Sequence, residues 1–267
     1  MSPPLSVCIT ACDEEELLPR CLDSVAWADE IVVVVDAKSR GGTEKIARER
    51  AHRVEVRPYR GDLDQKAHCV GLARHDWAMI IDPDERLPDA AAAELRAALA
   101  AAGPEVAGFE LNRVTFHLGR WIRHGDFYPD WKLRVFRRSR ARSVGRDPHG
   151  RMVVEGRVLR LRGELEHRSY RDLAEQVERI QFFSGEAARA LWQEGAQARL
   201  RDLVLRPPAR FLRAYLLKRG FLDGVPGFAI ASATAFHVFL KYMKLWEQAA
   251  RSAARSEAAS RPEGDAQ

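Results

Sequence analysis

Residues 77–87 read Trp77-Ala78-Met79-Ile80-Ile81-Asp82-Pro83-Asp84-Glu85-Arg86-Leu87, WAMIIDPDERL, an apolar run that ends in Asp82, Asp84 and Glu85. The run suits a buried strand. Carboxylates that crowd together repel and raise each other's pKa, so a cation or a catalytic task is expected to justify them. The bland alternative is a polar turn opening the helix after Pro88.

Three similar runs precede it: LSVCIT (5–10), EIVVVVD (30–36) and RVEVRPY (53–59). Their Val/Ile character suits strands buried on both faces. Between them DEEELLPRCLDSV, TEKIARERA and DQKAHCVGLAR read as helices, and PDAAAAELRAALAAAG follows the acidic cluster, with Pro88 near its start and Gly103 as a stop. Strand and helix thus alternate as βαβ units, and an α/β fold with a mostly parallel sheet follows. From Gly108 onward FELNRVTFHL, WKLRVFRR and RMVVEGRVLRLRG read as strands of mixed or antiparallel pairing, and LAEQVERIQFFSGEAARALW as a long helix.

A chain of 267 residues with 46% hydrophobic content buries a sizeable core. The net charge of +5 would suit an anionic partner, but Lys and Arg are spread along the chain, and nucleic acid is not expected among the partners. Cys8, Cys12, Cys21 and Cys69 form no CxxC pair, which fits reduced thiols in a cytosol. The start, MSPPLSVCIT, lacks the basic and long apolar regions of a secretory signal, so the protein is expected to stay in the cytoplasm. Residues Val225 to Leu240 contain no Asp, Glu, Lys or Arg, and follow a stretch between Arg201 and Arg219 that is rich in basic residues. That uncharged run is short of the roughly 18 residues of a spanning helix, and Pro226 and Gly227 stand at its start, so an interfacial or hairpin-like membrane contact is expected. The alternative is a buried helix. After Glu247 the chain reads as a frayed or disordered tail.

Ligands of open α/β sheets bind beyond the carboxyl ends of the strands. Here those ends carry Thr10, Ala11, Cys12 and Asp13, then Asp36 before AKSRGGT, then Asp82 and Asp84. Neither GxGxxG nor GxxxxGK[ST] is present, so phosphate must be handled otherwise. A divalent cation on Asp82 and Asp84, Mg²⁺ or Mn²⁺ from the hard oxygen ligands, would neutralise a diphosphate.

The segments LSVCITACDEEELLPRCLDSVAWADEIVVVVD, DQKAHCVGLARHDWAMIIDPDERL, GRWIRHGDFYPDWKLRVFRR, LEHRSY and YLLKRGFLDGVPGFAIASATAFHVFLKYMKL together resemble a family 2 glycosyltransferase of the GT-A fold. Within that family the resemblance is to bacterial lipopolysaccharide-core glycosyltransferases of the WaaE/KdtX type. It implies transfer of a sugar from a nucleotide sugar, UDP-linked, with inversion, to a lipid-linked or lipopolysaccharide acceptor at the cytoplasmic face of the inner membrane. It implies a GT-A domain over residues 1–170, a helical C-terminal region with a membrane-contact segment over 171–250, and a disordered tail over 251–267.

Carried over by position, Thr10, Ala11, Asp13, Glu15 and Asp36 would line the donor site, with Asp36 on the base or ribose. Asp82 and Asp84 would form the metal and diphosphate site, with Lys66 near the phosphates. Trp121, His124, Tyr128 and Asp130 match the acceptor-side loop, and Arg134 would share its pocket. The chain departs from the family at Asp13, where Asn is usual, and at AKSRGGT, which lacks an acid before Gly42 and carries Lys38 and Arg40. A Val-His-Glu-like motif appears as Asp147-Pro148-His149-Gly150, retaining the His and losing the Glu. With that Glu lost, Asp130 is the expected base, while His149 would ligate the cation or contact phosphate. A turn-capping Asp after Pro129 and a simple loop histidine are the bland alternatives. Two other functions fit less well. A sugar nucleotidyltransferase should carry a Gly-rich basic loop where TACDEEELL offers acids, and a non-catalytic descendant that binds a nucleotide sugar or lipid rests on the altered motifs.

Overall fold

The computed structural model describes residues 2–145 and 150–260. Its chain divides into two compact units, one running up to Phe116 and again over Pro129–Ser169, the other comprising His117–Tyr128 and the chain from Tyr170 onward.

In the first unit, β1 (Leu5–Ala11), α1 (Leu18–Val25), β2 (Glu30–Asp36), α2 (Thr43–Arg50), β3 (Arg53–Arg57), α3 (Asp62–Leu72) and β4 (Trp77–Ile80) alternate as the sequence predicts. β1 lies between β2 and β4, with β3 beyond β2, all parallel. There follow β5 (Glu85–Arg86), α4 (Asp89–Ala101) and β6 (Val106–His117), then β7 (Arg120–Ile122) of the second unit. The first unit continues with β8 (Trp131–Arg137), β9 (Ala141–Val144), β10 (Arg151–Val154) and β11 (Arg157–His167). The sheet runs β3-β2-β1-β4-β8-β6-β11-β5, and β9 and β10 pair separately. β8 is antiparallel to both β4 and β6, which are its neighbours, so the sheet changes direction immediately beside the acidic cluster.

Alternation along the central strands builds a core on each face of the sheet. Val7, Ile9, Val33, Val35 and Met79 pack with Leu18, Leu22 and Val25 of α1 and Leu95 and Leu99 of α4. Cys8, Val32, Val34, Ala78 and Ile80 pack on the other face with Cys69 and Val70 of α3. Each such aliphatic side chain stabilises the fold by about 1.5–3 kcal/mol on burial. This is why the continuous apolar runs can only sit in the middle of the sheet. β3 differs from the expectation of two buried faces, because it is an edge strand in which Arg53 and Val56 are exposed. The first helix is also shorter than DEEELLPRCLDSV suggests. Pro19 sits in its first turn, where a missing N–H costs nothing, and the acids before it form turns. Cys8, Cys21 and Cys69 are buried free thiols, and Cys12 is exposed.

The second unit contains α5 (Leu173–Gln193), α6 (Leu200–Val204), α7 (Arg206–Leu212) and α8 (Gly224–Ser260). Asp172 caps α5, its carboxylate accepting from Glu175 N at 2.8 Å. Lys244 of α8 donates to Ser184 Oγ of α5 at 2.7 Å. The segment 117–128 is tied to these helices through Asp223, whose Oδ2 accepts from His124 N at 2.8 Å while its Oδ1 lies 3.1 Å from His124 Nδ1. Asp126 lies 3.1 Å from Arg210 and 3.0 Å from Lys218. Two expectations are corrected here. The uncharged segment is no hairpin but part of one helix, Pro226 standing in its first turn, and that helix continues to Ser260, beyond the expected start of the tail at residue 251.

Candidate active site

The peptide after β4 sorts its three carboxylates by the partners that neighbouring elements supply. Asp82 Oδ1 meets Lys66 Nζ of α3 at 2.9 Å, and its Oδ2 accepts from Arg134 of β8 at 2.8 Å. Glu85 folds back under it. Its Oε2 accepts from Asp82 N at 3.0 Å, and its Oε1 is paired with Arg134 and lies 3.4 Å from Arg113 of β6. Arg134 and Glu85 are buried, whereas Asp82 reaches the surface. Burial alone would raise the Asp82 pKa, but Arg134 and Lys66 outweigh it and hold the carboxyl far below its ordinary range. Glu85 moves the other way, because burial and the nearby Asp82 charge exceed the help from its arginines.

Asp84 points elsewhere. Its Oδ2 lies 3.3 Å from His167 Nε2 at the end of β11, and His167 Nδ1 lies 3.2 Å from Thr115 Oγ1. The other oxygen, Asp84 Oδ1, is buried without a hydrogen-bond partner. Such an oxygen beside an imidazole fits a hard or borderline cation. Among the described residues no group of three or more His, Cys, Asp or Glu gathers into a metal cage. Both oxygens of Asp82, the other expected cation ligand, pair with Lys66 and Arg134.

At the ends of β1 and β2 a second cluster forms. Asp13 adopts φ 53°, a left-handed conformation that non-glycine residues usually avoid. From there its Oδ1 accepts from Ser39 Oγ at 3.0 Å, Arg40 N at 2.8 Å and Gly41 N at 3.3 Å. These bonds, the Arg40 amide foremost, lower its pKa. Asp13 thus holds the AKSRGGT loop from outside. Glu15 Oε2 accepts from Thr43 Oγ1 at 3.2 Å, and Asp36 Oδ1 accepts from Lys38 N at 3.0 Å and Tyr59 N at 3.3 Å. Thr10 and Ala11 complete the end of β1, the first half-buried and the second buried. The parallel register brings β1, β2 and β4 to finish side by side, so these residues share one rim of the sheet with Asp82.

A cleft of about 920 Å³ opens beside the Asp82 cluster, lined among others by Lys66, Asp82, Arg113, Trp131, Lys132 and Arg134. Asp130 lies next to it in sequence but is already engaged. Arg113 lies 2.8 Å from one of its oxygens and Lys132 3.0 Å from the other, and although burial opposes them, these cations lower its pKa. Trp121 and Tyr128 belong to the second unit, and His149 lies outside the described residues. The sequence does not announce that Glu85 lies buried beneath Asp82 with the half-buried Arg113 beside it, or that His167 partners Asp84. The signal for His167 was present in LEHRSY, a histidine at a strand end.

The sequence profile described as Glycosyl transferase family 2 matches residues 6–154. The chain belongs to that family. This glycosyltransferase is 30% identical over 257 residues to the lipopolysaccharide core biosynthesis glycosyltransferase LpsC of Rhizobium meliloti, covering 94% of both chains. It is 26% identical to an uncharacterized glycosyltransferase of Rickettsia typhi, covering 93% of this chain and 88% of that one. Among solved structures, Mycobacterium tuberculosis glucosyl-3-phosphoglycerate synthase in complex with Mg²⁺ and UDP matches with a TM-score of 0.36 and 22% identity, over 42% of this chain and 44% of that one. S. aureus TarS 1–349 matches with a TM-score of 0.43 and 12% identity, over 93% and 92%. The glycosyltransferase has the GT-A fold, a mixed, mostly parallel sheet flanked by helices.

Proposed function

We propose that this glycosyltransferase is inverting and moves a sugar from a UDP-linked donor to a lipopolysaccharide-core or related envelope acceptor at the cytoplasmic face of the inner membrane. The observation that carries the reading is the Lys66–Asp82–Arg134 constellation at the end of β4, opening on the cleft. Full-length similarity to the Rhizobium core glycosyltransferase supports the acceptor class. In this reading Asp36 takes the uridine ribose or base, and Lys66 meets the diphosphate with Asp82 holding it in place. Asp84 and His167 would hold a divalent cation, which when bound neutralises the leaving diphosphate. Transfer from UDP- and GDP-sugars with Mn²⁺ to core oligosaccharide tests the proposal. UDP-sugar at about 100 times its Kd should raise stability by roughly 2.7 kcal/mol. Stabilisation by no nucleotide sugar would sink it.

The base is proposed to be His149 rather than Asp130, because both oxygens of Asp130 are taken and its lowered pKa makes it a weak acceptor of the hydroxyl proton. Asp130→Asn is expected to lower kcat less than about tenfold, whereas His149→Ala should lower it by about 10² to 10⁴, the scale of general-base loss. The reverse ranking at saturating donor would return the role to Asp130.

The membrane contact is proposed for the second unit, where Leu217 is 80% exposed and Val225 78%, near the basic residues Arg210, Arg213 and Lys218. The stretch Gly220–Ala254, which includes most of α8, is long and apolar enough to cross a membrane, and only 22% of its most apolar window is buried. An interfacial contact also suits the basic cluster, each basic residue adding about 1 kcal/mol near anionic lipid. The protein should float with phosphatidylglycerol vesicles at about 0.1 M salt and partly detach at about 1 M, where the Debye length falls to roughly 3 Å. Leu217→Glu with Val225→Glu should abolish flotation. Flotation unchanged by the double substitution would place the contact elsewhere.

A further inference from the structure

The second unit contains a cavity of about 240 Å³ that takes no part in the reading above. Its walls include the rings of Phe127, Tyr170 and Phe183, with the polar side chains of Gln176 on α5 and His237 on α8. Gln176 is only 2% exposed, and its Oε1 and His237 Nε2 are buried without a hydrogen-bond partner. Behind them His117, also 2% exposed, stands edge-on to Tyr170 with ring centroids 5.6 Å apart. His117 Nε2 is likewise buried without a hydrogen-bond partner, and burial lowers the pKa of His117. The Gln176 carbonyl oxygen thus remains unpaired at the cavity wall.

Buried polar groups are nearly always satisfied, and an unpaired amide beside an unpaired imidazole identifies what is missing. Arg179, which also lines the cavity, is already paired with Glu175 at 2.9 Å, so an anion is poorly matched, and among the described residues no group of three or more His, Cys, Asp or Glu gathers to hold a metal. A hydroxyl group both donates and accepts, and several hydroxyls on one ligand would serve Gln176 and His237 together. The aromatic walls suit the apolar face of such a ligand. At about 30 Å³ per water, the cavity holds about eight water volumes, room for one small ring.

We propose that this cavity binds the uncharged pyranose ring of a sugar, with its hydroxyls on Gln176 and His237 and one face against Tyr170 and Phe183. The site is distinct from the residues assigned to donor and cation, and its test needs neither. Saturation-transfer-difference NMR of the full chain with methyl glycosides of common hexoses, without nucleotide or metal, should find at least one binder. The affinity of that glycoside should fall at least tenfold in Gln176→Leu, whose thermal melt serves as the folding control, and also in Phe183→Ala, at a side chain that is 45% exposed. Binding of n-decanol with no glycoside bound would overturn the proposal in favour of an alkyl pocket. Binding of neither would reduce the cavity to a hydrated packing defect, and glycoside binding unaffected by both substitutions would place it elsewhere. Because free glycosides are read directly, a failed transfer assay and an empty cavity are separate results.

Discussion

Replacing Arg134 by Met is expected to destabilise the protein by about 3–5 kcal/mol, the cost of removing one partner from a buried ion pair. Arg134 is the hinge of the cluster, serving Asp82 at 2.8 Å and the fully buried Glu85 at once. Without it Glu85 would keep only the more distant Arg113, at 3.4 Å, against its buried charge, or take up a proton. For a protein of this size each kcal/mol shifts Tm by about 2–4 °C, so thermal melts should fall by roughly 6–20 °C. Adding Glu85→Gln should restore part of the loss, since it removes the orphaned charge. The pH dependence has a definite sign. Asp82, with its pKa depressed in the fold, contributes stability that is present above the ordinary Asp value of 3.8 and lost as pH falls toward the folded value. That acid-side decline should flatten in Arg134→Met. A variant that melts with the wild type, or shows the same acid slope, would mean that the pair contributes nothing net.

The second large effect is expected at Asp84. If its unpaired buried oxygen receives the cation, Asp84→Asn should lower transfer by about 10² to 10³, the scale for losing one preorganised electrostatic contact in an active site. Mn²⁺ affinity, read by electron paramagnetic resonance with UDP present, should fall more than tenfold, while the melting temperature changes little because Asp84 sits at the rim. His167→Ala should weaken Mn²⁺ in the same assay, whether it ligates directly or only orients Asp84, where losses of about 10–100-fold are typical. Asp82→Asn separates the roles, since it should impair donor binding but leave Mn²⁺ binding in place. Equal Mn²⁺ affinity in wild type and Asp84→Asn would remove the cation from this position.

Much of the first unit was legible in the chain. Val32 to Val35 have no polar break, and only a strand between two covered faces can accept four consecutive valines, so β2 and its neighbours followed from burial alone. The delivery of Asp36 and Asp82 to one rim followed too, because parallel strands end on the same side. The second unit was less legible. Residues 117–128 read as a loop of the first domain, but the buried Asp223, about a hundred positions away, gathers them through Arg123 N and His124 N at 3.0 and 2.8 Å. No local pattern announces such a contact.

The acidic cluster marks the boundary between the two kinds of knowledge. Its place at the end of an apolar strand was determined by sequence, through alternation and the turn at Pro83. Which acid meets which cation was decided only by tertiary structure. Lys66 comes from a helix, Arg134 and Arg113 from strands that enter the sheet more than fifty and nearly thirty residues later, and His167 from a strand farther still. Carboxylates three residues apart look alike in one dimension, and their pKa values diverge only when burial and distance are set in three. Asp82 ends ionised and fully paired, Glu85 buried with a raised pKa, and Asp84 with one oxygen still to be used.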